Sequence, residues 1–373
     1  EPLARRAKFH GDGRLKSSGG ETYEGQWRHG VRHGVGRASH PAGEWYDGEW
    51  ADGQRSGQGK SLLSSGDSWD GGWLADHPHG EGTYNLRGGD VYVGSVEGGL
   101  KHGYGVLTLS NGHVYSGHFK KGERHGSGVL KGAVADGSPV LYDGEWEEHK
   151  RSGTGKGRTP AGDYFEGGWQ ADEPHGEGMM TFASGDIYTG SVVSGARSGH
   201  GQQQYASGHV YEGLWAHDKR DGEGRITYSD KSEYHGEWKA NRREGKGRYH
   251  GAHGDSYEGM WKRDRRHGSG TLHAADGSLY AGEFADDRRD GRGCMRYANG
   301  DVYEGEWVSG RRHGEGKLQA ADGRTYYGRW MDDQPGGATL PVDSAGGGGA
   351  FQRPHYVEGK GLVSNEHPSS QIT

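Results

Sequence analysis

The sequence predicts an all-β fold: an elongated, single-layer antiparallel β-meander of about 14 hairpins, forming a twisted, trough-like repeat array. Three observations predict it. Glycine returns every 23 residues inside one small motif, first as Tyr23-Glu24-Gly25-Gln26-Trp27, then at Gly48, Gly71, Gly94, Gly117, Gly144 and onward to Gly328. Aromatic residues flank that glycine two positions away on either side. A second glycine pair keeps the same beat, as in His33-Gly34-Val35-Gly36 and His313-Gly314-Glu315-Gly316. A fixed period of roughly 20–50 residues marks a repeat array.

With the central glycine as phase 0, phase −2 is Tyr in 12 repeats, with Trp69 and Phe165 in the other two. Phase +2 is Trp in 10 repeats, with Val96, Phe119, Val192 and Phe284 elsewhere. Positions −2, 0 and +2 share a face only in a strand. The second segment alternates likewise: Gly at +9 and +11, then an apolar residue at +13 such as Leu130, Ile226 or Leu272. Period 2 argues for strand over helix. Phase +5 is Gly, Asp or Asn in 13 of 14 repeats, and Asn-Gly or Asp-Gly recurs near phase +18. Both are turn signals, the second a strong hairpin signal.

Each repeat is therefore a hairpin, and successive hairpins form the meander. The inferred register sets Trp at +2 opposite Gly at +9, where the indole finds room, and Tyr at −2 opposite the residue at +13. At about 4.8 Å between strands, a repeat advances roughly 9.6 Å. Residues 1–20 form a partial opening repeat, because His10-Gly11-Asp12-Gly13 is in phase with the later pairs. Residues 21–340 hold the fourteen repeats, and 341–373 form a degenerate cap and tail. The single longer step adds four residues near 131–141, which predicts a local register disturbance and a projecting loop. The aromatic wall should thin around Val96, Phe119 and Val192.

Hydrophobic residues make up only 29% of the chain and mean hydropathy is −1.05. That composition alone would favour disorder. The fixed phasing of 12 Trp and 21 Tyr opposes it. A net charge of −7 is too mild to specify a partner. The lone Cys294 excludes an intramolecular disulfide framework and fits a reducing, cytoplasmic compartment. No run of about 18 apolar residues exists to form a membrane helix, and no signal peptide is visible.

The combination Tyr-x-Gly-x-Trp followed by His-Gly-x-Gly resembles the MORN (membrane occupation and recognition nexus) repeat over nearly the whole chain. The resemblance implies a trough lined by aromatic rings and a scaffolding role. Family members occur in cytoskeletal structures, ciliary radial spokes and membrane junctions, and some precede a catalytic domain.

Two sets of candidate residues follow. The aromatic row holds the sheet together and lines a groove open to a partner segment: Tyr23, Trp27, Tyr46, Trp50, Trp69, Trp73, Tyr142, Trp146, Phe165, Trp169, Tyr211, Trp215, Tyr234, Trp238, Tyr257, Trp261, Tyr303, Trp307, Tyr326 and Trp330. Phases +6 and +7 carry five successive basic pairs: Lys219-Arg220, Arg242-Arg243, Arg265-Arg266, Arg288-Arg289 and Arg311-Arg312. All sit at one hairpin end and are expected to form a solvated basic edge, off the aromatic face, for acidic proteins or anionic lipid.

Other constellations read as structural. Histidine recurs at +8 (His33, His79, His102, His125, His175, His267, His313), but equivalent residues about 9.6 Å apart cannot share one zinc held at about 2.1 Å. The Gly-x-Gly pairs lack the following helix that a phosphate loop needs. Asp and Glu on phases −1 and +1 read as a solvated strand face. No catalytic residue, metal site or cofactor site is expected.

The leading functional expectation is a non-enzymatic scaffold mediating protein–protein interactions in a cytoskeletal assembly, a cilium or flagellum axoneme with a radial-spoke-head-like role. Its partners would be other proteins of that assembly, with anionic lipid as a further candidate and no nucleic acid or small-molecule substrate. The alternatives are a peripheral membrane tether using the basic edge and a repeat module of a larger enzyme.

Overall fold

The structure is a computed structural model, and its described residues are 9–132, 140–159, 161–336, 355–357 and 361–363. Twenty-nine strands form one antiparallel sheet, from Gly11–Lys16 to Gln334–Pro335. No helix occurs among the described residues. Two short strands, His355–Val357 and Gly361–Val363, pair separately. The chain divides into two compact units, Glu1–Ala183 with Val193–Gly195, and Ser184–Val192 with Ala196–Thr373. Each unit is built from the same hairpin.

One repeat in the second unit shows how residues dictate that hairpin. Its first strand is Glu233–Lys239 and its second is Arg242–His250. Only Ala240 and Asn241 join them, both at positive φ (47° and 72°). That two-residue type I′ geometry matches the right-handed twist of the flanking strands, and Asn, Asp and Gly bear it at least cost.

The expected pairing of phase −2 with phase +13 is present, as Tyr234 opposite Tyr249. The pairing of Trp with Gly at +9 is present only across repeats: Trp238 lies opposite Gly222 of the preceding strand. Inside its own hairpin the register slips between Gly236 and Trp238, and Trp238 faces Arg243. The slip is a β-bulge, and Gly245 at +9 supplies its left-handed residue (φ 62°). The glycine at +9 is thus required by the bulge and not, as expected, by the indole: a Cβ on Gly199 would meet Ser191 at 3.3 Å and no atom of the facing Trp215 within 4 Å.

The central glycines serve a different ring from the one expected. Gly236 faces Gly247 directly, and the Tyr234 ring lies over both. A Cβ on Gly236 would sit 2.5 Å from the Gly247 Cα and 2.7 Å from the Tyr234 hydroxyl. One on Gly247 would sit 2.5 Å from the Tyr234 ring. The tyrosine hydroxyl passes the glycines and donates to the Glu237 carbonyl at 3.0 Å. The same bond recurs from Tyr23 to Gln26 and from Tyr303 to Glu306.

The opening half repeat pairs as expected, with Gly13 opposite Gly25. Near the insertion, the register shifts between Leu130 and Lys131, so that Lys131 pairs with Val140. The expected projecting loop falls on 133–139, outside the described residues. So does most of the tail beyond 336.

The tyrosine–glycine arrangement makes a direct comparison available. Gly328 occupies phase 0 like Gly236, yet nothing lies within 4 Å of its Cβ position. Gly236→Ala should cost about 1–3 kcal/mol by overpacking, whereas Gly328→Ala should be nearly neutral. Equal melting temperatures for the two variants would show that the ring does not press on the glycine pair.

Candidate functional site

The aromatic residues form zig-zag files of edge-to-face rings. Tyr234 meets Trp238 of its own repeat at 5.3 Å between centroids, and Trp261 of the next repeat also at 5.3 Å. In the first unit one file links Trp27, Tyr23, Trp50, Tyr46 and Trp73. Another runs from Tyr92 through Phe119, Tyr115, Trp146, Tyr142 and Trp169 to Phe165. In the second unit a file runs from Tyr188 to Trp330. Val96 starts no file, but Phe119 stands within one, so the wall thins at Val96 and not at Phe119. Edge-to-face pairs contribute about 0.5–1.5 kcal/mol each beyond burial.

The expected open aromatic groove needs correction. Of the twenty predicted rings only Trp27 and Tyr326 are half-exposed; the other eighteen are buried, with exposure of 0–5%. Each indole also spends its N–H, as Trp238 donates to the Gly224 carbonyl of the preceding repeat at 3.1 Å. The rings are floor, and what lies above them is the arginine at phase +7.

That arginine is the functional residue most misplaced by the sequence reading. The Arg243 guanidinium stacks on Trp261 of the next repeat, 4.1 Å from the ring centroid. Its Nη2 donates to the Asp264 carbonyl at 2.8 Å, and its backbone N–H to the Asp264 carboxylate at 2.9 Å. Asp264 returns a bond, N–H to the Arg243 carbonyl, at 3.0 Å. Arg55 with Trp73 and Asp76, Arg151 with Trp169 and Asp172, and Arg312 with Trp330 and Asp333 repeat the pattern. Arg220 and Arg289 do the same through Trp238 and Trp307, and Arg266 stacks on Phe284. So Arg220, Arg243, Arg266, Arg289 and Arg312 are not a solvated edge. They are staples on the aromatic face, tying each repeat to its successor.

The internal signal was present in the sequence. Wherever Arg at +7 is replaced, Trp at +2 of the next repeat is replaced too: Pro78 precedes Val96, Pro174 precedes Val192, and Lys101 precedes Phe119, while Arg266 before Phe284 is the one arginine that precedes a residue other than Trp. Where arginine is missing, the next turn carries Gly99, Gly195 or Gly122 in place of an acid.

Only the +6 residues, Lys219, Arg242, Arg265, Arg288 and Arg311, remain on the exposed hairpin end. Arg265 and Arg311 lie 3.7 and 3.9 Å from Asp286 and Asp332. Acids at neighbouring phases, including Asp221, Glu244 and Asp290, further offset the row; each accepts a backbone N–H of the following turn. Several +1 acids also have a local task. Glu49, Glu145 and Glu237 accept backbone N–H groups at the bulge. At +8, the buried Nδ1 atoms of His33, His267 and His313 have no hydrogen-bond partner. No group of three or more His, Cys, Asp or Glu able to hold a metal occurs among the described residues.

Burial raises the tyrosine pKa values, to about 12 for Tyr84, Tyr115 and Tyr303. The unfolded chain ionises near 10. A raised folded pKa means stability is full below about pH 10 and falls as pH climbs toward 12, because the unfolded state releases protons first. Alkaline titration should therefore show tyrosinate absorbance rising together with loss of β-sheet circular dichroism. Tyrosinate appearing near pH 10 in an intact sheet would contradict this burial.

Arg243→Ala should cost about 1–3 kcal/mol, because it removes the guanidinium donor to the Asp264 carbonyl and uncovers Trp261, although the backbone N–H to the Asp264 carboxylate remains. Arg243→Lys should recover little of that, since an ammonium cannot stack and fork at once. Arg242→Ser should change melting by less than about 0.5 kcal/mol. If the Arg243 and Arg242 variants melt alike, the staple assignment is wrong.

Comparison with known proteins agrees with this repeat. The MORN repeat family model matches thirteen segments, from residues 23–44 to residues 303–323. No curated protein matches the chain. Among solved structures, the TCP10 domain of Danio rerio CPAP with a STIL peptide is similar at 11% identity, covering 89% of this chain and 99% of that one, with TM-score 0.25. The Drosophila melanogaster SAS-4 TCP domain with a proline-rich motif of Ana2 is similar at 15% identity, covering 47% and 97%, with TM-score 0.22. A Staphylococcus aureus virginiamycin B lyase is similar at 11% identity, covering 88% and 95%, with TM-score 0.13. Scores this low carry no argument about fold or function.

Proposed function

The chain belongs to the MORN repeat family, and on that basis we propose a non-enzymatic scaffold that mediates protein–protein interactions in a cytoskeletal assembly. The observation that carries the reading is how the recurrent polar groups are used. The +7 arginines and the turn acids that receive them join one repeat to the next, and the +1 glutamates close the bulge inside their own hairpins. Such an arrangement holds many surface positions at a fixed repeat, which suits a protein that spaces partners along its length. An axonemal site, with a role like that of a radial spoke head component, is the finer form of the proposal.

A peripheral membrane tether would draw on the +6 row alone, because the +7 guanidiniums are engaged. Surface cations contribute about 1 kcal/mol each to anionic lipid, and nearby acids offset that attraction here.

The test is a tagged full chain expressed in a ciliated cell, with localisation and salt extraction of axonemes. The scaffold reading expects axonemal retention, and no sedimentation with vesicles containing a fifth phosphatidylserine at about 0.15 M salt. Vesicle binding that is lost in the Lys219, Arg242, Arg265, Arg288 and Arg311 to Ser variant, together with a diffuse or membrane-bound signal, would replace it with the tether.

A further inference from the structure

The proposed partner-binding role leaves open what chemistry the aromatic face offers a partner, and one place on it answers in detail. A cavity of about 540 Å³ in the second unit opens above Trp261, lined by Arg243, Arg266, Tyr228, Tyr249, Asp230 and Asp255 among others. It exists because a wall is missing. At phase +15 neighbouring repeats carry Tyr205, Tyr228 and Tyr297, whereas the two intervening repeats carry Gly251 and Ala274.

The same place interrupts a second lateral bond. At phase +19, Asp67, Asp90, Asp163, Asp186 and Asp301 each accept the backbone N–H found 20 residues later, at 2.8–3.4 Å. Among the described residues Asp255 is the one aspartate at this phase that does not. Its carboxylate folds back over Gly251, into the space a side chain there would take. Half-buried, it has no hydrogen-bond or ion-pair partner among the described residues.

The charge of the cavity has a definite sign. Arg243 and Arg266 are matched by Asp264 and Asp287, which leaves Asp230 and Asp255 in excess. Asp230 is already held by Ser232, whose N–H and hydroxyl both donate to it. The acceptor left over is Asp255, beside tyrosine rings that attract cations. Acidic ligands meet this excess negative charge, and a purely apolar one would bury Asp255 unpaired.

We propose that this cavity is a binding site for a basic side chain, arginine or lysine, presented by a protein partner, with Asp255 as its counter-ion. The inference rests on the scaffold reading above. In it, the cavity is a specificity pocket on a face whose aromatic rings are mostly buried.

Acetyl-tetraarginine amide serves as probe and acetyl-tetraglutamate amide as its opposite, titrated by calorimetry into the full chain at low salt. The arginine peptide should bind and the glutamate peptide should not. Asp255→Asn should weaken binding at least tenfold. Gly251→Tyr, which rebuilds the wall of neighbouring repeats, should do the same. Glu304→Gln removes an equal charge from the outer face and should bind as the parent does. Equal binding by the Asp255 and Glu304 variants, or preference for the acidic peptide, overturns the proposal. That outcome leaves the scaffold reading standing, because axonemal retention of the parent chain is scored independently of Asp255.

Discussion

A tyrosine ring lying flat across two facing glycines is the constraint from which the rest of this sheet follows. Because Tyr234 covers Gly236 and Gly247, neither glycine can carry a Cβ, and the strands stay in one register. Because its hydroxyl reaches the Glu237 carbonyl, the strand must bulge just beyond. The bulge turns Trp238 to face Arg243 across the hairpin, and that arginine then reaches the next repeat. A single-layer sheet has no opposing layer to bury its apolar face. Here the tyrosines, indoles and guanidiniums stack upward from the sheet and supply a cover from the same strands.

The arginine–tryptophan stack explains how so polar a chain stays ordered. Each guanidinium closes an aromatic ring beneath it, an indole in every case but that of Arg266, and ends on a carbonyl in the turn of the next repeat, as Arg312 does with Trp330 and Asp333. The charge is not exposed for its own sake. It is fixed by a flat stacking surface below and by hydrogen-bond acceptors at its rim, a geometry that lysine cannot reproduce. Where the surface shrinks to Val96, Pro78 stands in place of the arginine.

Much of this was legible in the sequence because period-2 alternation and Asn-Gly turns are local signals, and the 23-residue beat fixes which residues share a face. The hairpins, the Tyr234–Tyr249 pairing and the placing of the aromatic rows on one face follow from them, whereas the closing of that face by arginine does not. The bulge between Gly247 and Arg243 was not legible, since a strand that carries two extra residues there looks in sequence like one that does not. From that single slip came the misplacement of Arg220, Arg243, Arg266, Arg289 and Arg312: an unbulged strand puts phase +7 out on the edge, a bulged one turns it inward over the ring. The cavity at Asp255 was hidden for another reason. It depends on Gly251 and Ala274 being small, and small residues at a turn read as ordinary turn chemistry.

The junction after Pro78 has a consequence for how the array comes apart. Its turn is held by the Gly99 N–H to the Pro78 carbonyl, with Tyr84 donating to the Gly99 carbonyl at 3.2 Å, and Ser95 donates to the Glu81 carboxylate between the paired strands, but among the described residues no arginine staple spans it. In a linear array, cooperativity is set by the weakest coupling between adjacent repeats. Repeats on either side of Val96 are joined less strongly than those around Trp146 or Trp261. The same substitutions, proline, then valine, then glycine, stand 96 residues later at Pro174, Val192 and Gly195. These two junctions divide the array into blocks of three, four and seven repeats, the segments expected to open as units.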